Sequence, residues 1–437
     1  MRPPPRRKTQ GDGSRFLRSV WALGTLQAAN YVLPLVTVPY LFRVLRADAF
    51  GRLAFAQSLA SSLVLVVEYG FQYSATAEVA RVRHDRARLR LVVSNVLAAK
   101  ALLVLTAALV LLCATTLSGR VASEQALFWA AFTSVVAAAV SPEWLLVGLE
   151  RMRAVLVLGV VSRGLYTLAV LLLVRTRSDY VVAALTNGCA VMLVGAGLMA
   201  RSLQRIGIER PTPREMKAIL FKSTPFFLSR ASVMTYTTLN AFLLGLTSTA
   251  NAVACYAGAE RLYTAISQLS QPVSTSLYPL ISRTRNLVLH RRATAFTTAA
   301  TTVAATVLWA AAEPVVRVFM GPGFDGAVVP VRIFCFVLLI TVPSRLVGYP
   351  LLAALGHSGY ANGSVMIGAV VQTTSVGVLY ALRGLTVNSL VAVILLTEGT
   401  IFAIRVYGIA RTGAWGSPLG GGRCVKTPRR ASASGRQ

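Results

Sequence analysis

The sequence predicts an all-α, polytopic membrane protein of about twelve transmembrane helices. Three observations carry this. Only 14% of the 437 residues are charged and 55% are hydrophobic, whereas a soluble domain carries about 25% charged residues. The apolar residues come in long runs such as LVVSNVLAAKALLVLTAALVLLCATT (91–116), and about twenty residues at ~1.5 Å each cross a ~30 Å hydrocarbon core. These runs do not alternate apolar and polar residues, as the ~10-residue strands of a membrane β-barrel would. A spanning segment must satisfy its own backbone hydrogen bonds, so each run reads as a helix.

In chain order the spans are expected at 17–42, 52–73, 91–116, 124–148, 154–174, 180–202, 219–246, 252–280, 294–318, 328–353, 359–381 and 386–410. The first follows a basic, Pro-rich stretch. It is too long for a cleaved signal peptide and lacks a small-x-small cleavage site, so it reads as an uncleaved span. Pro39, Pro142, Pro225, Pro272 and Pro343 lie inside or at the ends of spans, where neighbouring helices tolerate a break. Residues 412–437 are rich in Gly, Ser and Arg and are expected to be disordered.

The net charge of +29 reads as membrane topology, not nucleic-acid binding. With the N-terminus inside, the inner segments hold 29 of the 44 Lys and Arg residues and the outer loops hold 8. That bias places both termini in the cytoplasm and favours an even span count. The inner charges also meet anionic lipid. Cys113, Cys189, Cys255, Cys335 and Cys424 are isolated, and His84, His290 and His357 lie far apart. Neither a disulfide framework nor a metal site is expected, and no cofactor is implied. No G-x-x-x-x-G-K-[ST] loop occurs, which excludes ATP hydrolysis by that route. The GPGFDG stretch (321–326) is an outer turn without the strand-to-helix context of a nucleotide loop.

A weak internal repeat appears at an offset of 201 residues. Phe55 matches Tyr256, Pro142 matches Pro343, and FQYSATAEVARVR (71–83) falls on PVSTSLYPLISRT (272–284). Six spans per half makes the repeats parallel, with a central cleft between them. The expected organisation is a cytoplasmic tail (1–16), a six-helix lobe (17–202), a basic linker (203–218), a second six-helix lobe (219–411) and a cytoplasmic tail (412–437).

Polar residues at helical spacing inside the spans carry the chemical signal. Gln27, Asn30, Pro34 and Thr37 share one face of the first span, and Gln57, Ser61, Glu68 and Gln72 share one face of the second. Tyr256, Glu260, Tyr263, Ser267, Ser270 and Ser274 form the longest stripe, in the eighth. Such stripes either glue helices together or line a wet cavity. The within-span cations are Lys100, Arg163, Arg230, Arg261, Arg332, Arg345 and Arg405; the acids are Glu68, Glu260 and Glu398. A central charge costs ~2.5–3.5 kcal/mol on insertion scales, so these residues are not left facing lipid. Arg332 and Arg405 lie near span ends and are expected to snorkel to the interface. Lys100, Arg163, Arg230, Arg261 and Arg345 are deeper. They either form structural ion pairs, such as Glu68 with Lys100, or line a cationic cavity for an anionic substrate, a task that suits the guanidinium fork.

NYVLPLVTVPYLFRVLRADAFGRLAFAQS (30–58), VEYGFQYSATAEVARVR (67–83) and PEWLLVGLERMRAVLVLGVVSR (142–163) resemble the bacterial polysaccharide and O-antigen (Wzx-type) flippases, within the MATE-like flippase superfamily. AERLYTAISQLSQPVSTSLYPLISR (259–283) and FMGPGFDGAVVPVRIF (319–334) continue the likeness, which covers most of 17–411. One departure is Leu45-Arg46, where the family usually has Leu-Gly. The resemblance implies two six-helix lobes around an alternately opening cavity in the bacterial inner membrane. It implies transfer of an undecaprenyl-pyrophosphate-linked oligosaccharide to the outer leaflet, alongside a polysaccharide polymerase and chain-length machinery. On this reading Arg230, Arg261, Arg163, Lys100 and Arg345 neutralise diphosphate, and Asn30, Gln27, Tyr256 and Tyr263 meet sugar. Glu68, Glu260 and Glu398 couple or pair charges. A drug exporter of the same fold favours acids over cations in its cavity. A peptidoglycan-precursor flippase usually has two further helices. A polymerase enzyme carries a large outer loop.

Overall fold

The computed structural model describes residues 12–237 and 239–413, and every regular element among them is helical. Residues 1–11 and 414–437, where the cytoplasmic tails and the C-terminal disorder are expected, lie outside the described residues. The first half contains α1 (Asp12–Glu68), α2 (Phe71–Val82), α3 (Arg86–Leu117), α4 (Gly119–Ala122), α5 (Gln125–Val140), α6 (Glu143–Gly148), α7 (Met152–Leu173) and α8 (Tyr180–Ile206). The second contains α9 (Pro213–Thr237), α10 (Leu239–Thr247), α11 (Ala250–Gln268), α12 (Gln271–Thr284), α13 (Leu287–Ala310), α14 (Ala312–Phe319), α15 (Val328–Val347), α16 (Ser358–Ala381) and α17 (Val387–Thr412). A wide π-helical turn, Gly348–Ala353, follows α15. Among the described residues nine stretches are long and apolar enough to cross a membrane. The more polar α9 to α12 fall on the expected seventh and eighth spans, so the set is consistent with about twelve crossings.

Local chemistry sets the helix ends. Asp85 caps α3 by accepting from the backbone N–H of Ala87 and Arg88, both at 3.1 Å. Asn286 does the same for α13 through Leu289 at 3.0 Å, and Thr386 and Ser389 cap α17 reciprocally. The breaks are equally local. Tyr69 (φ 42°) and Gly70 (φ 77°) separate α1 from α2. A Cβ on Gly70 would lie 2.7 Å from Cβ of Phe226, so the glycine admits α9 as well as the turn. The second half also breaks, between α11 and α12, but there Leu269 and Ser270 keep right-handed backbone angles.

α1 itself is two helices joined at Arg46, whose φ of 60° and ψ of 178° are non-helical. That region suits glycine, and a side chain there costs about 1–3 kcal/mol. The departure from Leu-Gly therefore falls on the turn that needs the glycine.

Packing divides the chain. α5 lies along α8, and α1 along α5 and α7; later, α15 and α16 pack on α17, and α13 on α15. The halves meet along α1 and α11. Apolar burial gives little drive between helices in lipid, so close contact must supply it. A Cβ on Gly51 would lie only 1.7 Å from the Ala250 carbonyl oxygen; backbone touches backbone. Beside it the Phe42 ring packs 4.2 Å from Phe50 and 5.0 Å from Phe324. Arg43 donates to the Val318 carbonyl at 3.0 Å. Arg120 donates to the carbonyls of Gly245 at 2.9 Å and Ser248 at 2.8 Å. The halves are thus sealed at the end that carries the Arg46 turn.

Arg46→Gly should relieve the strained turn and raise the melting temperature in detergent by about 2–4 °C. A lower melting temperature would show that the turn is not strained.

Candidate functional site

Below the seal, the second leg of α1 and the middle turns of α11 border a cavity of about 330 Å³, lined by Gln57, Ser58, Ser61, Glu260, Arg261 and Thr264 among others. Both halves contribute. The small residues Ala54, Ala241 and Ala257 leave the space. The contacts described above close the Arg46 end of this cavity.

Arg261 is the cation of this cavity. Its guanidinium stands 5.3 Å over the Phe50 ring and lies in the field of Tyr166. Both of those residues belong to the first half, so they hold the fork at the seam. Glu260, next in sequence, accepts from the Tyr256 hydroxyl at 3.2 Å. Tyr256 also bonds to Asn240. Asn240 in turn accepts from Gln372 at 3.0 Å, and Gln372 accepts from Thr397 at 2.7 Å. A hydrogen-bonded chain therefore fixes the carboxylate from behind. Of the expected stripe on the second span, Gln57 and Ser61 line the cavity, while Glu68 and Gln72 sit further along.

Most of the other expected site residues are engaged elsewhere. Arg345 donates to the Ser267 carbonyl and hydroxyl, each at 3.0 Å, and to Ser270 at 3.3 Å. Tyr263 stacks on Phe334 at 5.0 Å and donates to Thr341. Tyr256 is fully buried, with Phe334 6.1 Å away. The stripe on α11 is thus mainly a polar seam against α15, with only Glu260 at the cavity, and neither tyrosine is offered to a sugar in this conformation. Glu398 accepts from Thr341 and lies in the field of Arg345 and Arg405. Gln27 and Asn30 have side chains outside the described set.

A second cluster occupies the first half. Arg230, from α9, reaches Glu68 at 2.6 Å and Gln72 at 3.5 Å. Lys100 is buried and donates to the Ala138 carbonyl at 2.9 Å, so it does not face the main cavity. It lines a small cavity of about 20 Å³ with Glu68, Gln72, Glu143 and Trp144. Exposed Arg163 donates to Gly159 at 3.2 Å and lies in the field of Glu143. Of the two readings of these charges, Glu68 takes the ion-pair one, with Arg230 as its partner and Lys100 nearby. Sequence reasoning missed Glu143. Its signal was the acid directly after Pro142, at the free N-terminus of α6.

Arg405 corrects another expectation. It is buried and does not snorkel: it donates to Ser364 at 3.0 Å, the Ser344 carbonyl at 2.8 Å and the Ser344 hydroxyl at 3.0 Å. α17 runs to Thr412, which puts Arg405 two turns inside the helix end. Arg332 does sit at a rim, half-exposed, 3.4 Å from Glu313 and over Trp309.

The sequence profile described as "Polysaccharide biosynthesis protein" matches residues 16–285, more than half of the chain. The chain belongs to this family. A curated relative in Escherichia coli (strain K12), named "Putative O-antigen transporter", is 25% identical over 324 residues, covering 72% of this chain and 78% of its own. Two solved structures share the fold of this polysaccharide biosynthesis protein. The lipid II flippase MurJ, in an inward closed conformation, gives a TM-score of 0.65 at 14% identity over 89% of this chain and 87% of that one. An inward-facing multidrug resistance MATE family transporter of the MOP superfamily gives 0.64 at 15% identity over 90% and 98%. The all-α, MATE-like fold expected from the sequence is therefore the fold of this family member.

Arg405→Met should lower stability by about 1.5–3 kcal/mol, since it removes charge-assisted bonds to the buried Ser344 and Ser364. Arg332→Ala should stay within about 0.5 kcal/mol. Heat-challenged size-exclusion profiles measure both, and equal losses would return Arg405 to the interface.

Proposed function

We propose that the chain is a flippase for an undecaprenyl-pyrophosphate-linked oligosaccharide repeat unit, moving it from the inner to the outer leaflet of the bacterial cytoplasmic membrane. The product would feed O-antigen, capsule or exopolysaccharide assembly, next to a polymerase and chain-length machinery. Supporting this are the family, the relative named as an O-antigen transporter and the fold shared with a lipid flippase. The observation that carries it is Arg261 in a polar cavity at the seam of the two halves.

The chemistry follows from that placement. A guanidinium fork bonds phosphate bidentately, and the hydroxyl and amide groups of Gln57, Ser61 and Thr264 suit sugar hydroxyls. The cavity is near the lower end of small-molecule site volumes, ~300–1,000 Å³, so an oligosaccharide requires the halves to part further. A seam open to the bilayer leaves the prenyl tail in lipid. With lobes at 17–202 and 219–411 joined by 203–218, the basic end faces the cytoplasm by the charge bias, and the sealed end faces outward. Loading occurs once the halves part further at the basic end. Release follows when the seal at Gly51, Ala250 and the Phe42 cluster opens.

Deletion of the gene from a polysaccharide-producing host should accumulate lipid-linked repeat units on the cytoplasmic face and remove surface polymer. Normal polymer without accumulation would overturn the proposal. In the complemented strain, Arg261→Ala should cut export at least tenfold at equal protein level, with Arg261→Lys retaining part of it. Unchanged export by Arg261→Ala would remove the arginine from the substrate path.

A further inference from the structure

We propose that Lys100 is a reserve counter-ion for Glu68, taking over that carboxylate when Arg230 leaves it for the substrate phosphate. The inference rests on the flippase reading for what draws Arg230 away. The exchange itself rests on the charge cluster of the first half.

In that cluster Glu68 comes from α1, Gln72 from α2, Lys100 from α3, Glu143 from α6 and Arg163 from α7. Arg230 alone comes from the second half, on α9. Its bond to Glu68 at 2.6 Å is one rung of a ladder between α9 and the first half. The other rungs are Ser74 to Ser223 at 2.6 Å, Tyr69 stacked on Phe227 at 4.6 Å, and Lys222 near Glu78 at 3.7 Å. On the flippase reading, a substrate entering from the basic end requires the halves to part there; this ladder then separates, and Glu68 loses its partner. An unpartnered carboxylate beside hydrocarbon is costly, so the separation needs a replacement cation within reach.

Lys100 meets that need. Its amine is buried and lines the small cavity that Glu68 also lines, in the field of that carboxylate. One amine hydrogen goes to the Ala138 carbonyl, and an ammonium has three. The cavity, about 20 Å³, has room for one water-sized group, and the four-carbon stem lets the amine swing across it. Release of Arg230 then leaves no bare charge, because an ammonium replaces a guanidinium on the same carboxylate. Lys100 acts through Glu68 and is a positioning residue.

The test uses the full chain in membranes, in a cysteine-free background, with Ser74→Cys and Ser223→Cys added so that disulfide formation reports how often α9 is docked. Lys100→Met should raise the cross-linking rate two- to five-fold with no substrate present, since Arg230 can no longer be released cheaply. Glu68→Gln in the same chain should bring the rate back to or below that of the parent. Without the reporter cysteines, Lys100→Met should lower polymer export at least tenfold, and Lys100→Met with Glu68→Gln should recover the level of Glu68→Gln alone. A merely structural lysine gives no such rescue. An unchanged cross-linking rate in Lys100→Met, or a double variant as poor as the single, overturns the exchange. If cross-linking behaves as stated while the gene proves unnecessary for polymer export, the substrate reading falls and the exchange stands.

Discussion

A charge inside a bilayer has no water to fall back on, so its partner must arrive with it. The interior of this protein is organised around that constraint. Arg405 is folded into the second half by two serines, and Arg345 by two others. Lys100 is tied to a carbonyl within the first half. These groups hold helices in register. Once they are accounted for, few cations remain along the seam between the halves. Arg261 stands at the cavity, and Arg230 is shared between halves. The functional signal lies in which charge crosses the seam, more than in how many charges the spans contain.

The seam is uneven along its length. At one end it closes by contact: glycine against a carbonyl, phenylalanines edge to face, arginines on backbone oxygens. Lower down it carries hydroxyls, amides and carboxylates with space between them. Contact at one end and polarity in the middle is the asymmetry that a one-sided pathway requires. It arises from where small residues fall, since Gly51 and Ala250 permit an approach that any larger pair would prevent.

The fold was largely legible in the sequence. Runs of apolar residues locate the helices because membrane length and backbone satisfaction leave no other solution. Polar spacing put Gln57 and Ser61 on one face of their helix, which needs only the helical repeat; that this face borders the cavity was not legible. Pairing was not legible. Glu68 and Arg230 are 162 positions apart in the chain, and only the break at Gly70 decides that they meet. Tyr256 and Tyr263 lie on a clear stripe, yet the stripe meets α15, which no single-helix periodicity reveals. Arg405 was misplaced for a simpler reason: α17 continues beyond the apolar run.

The arginine bonds that close the seal have a consequence for variation. Arg43 and Arg120 address main-chain oxygens near the C-terminal ends of α14 and α10, where carbonyls lack helical partners and the helix dipole is negative. A carbonyl is present whatever side chain its residue carries. Positions 245, 248 and 318 are therefore free to drift, as far as these bonds go, without a matching change in the arginines. The arginine part of the closure is thus coded on one side only, whereas the Gly51–Ala250 and Phe42–Phe324 contacts depend on both halves.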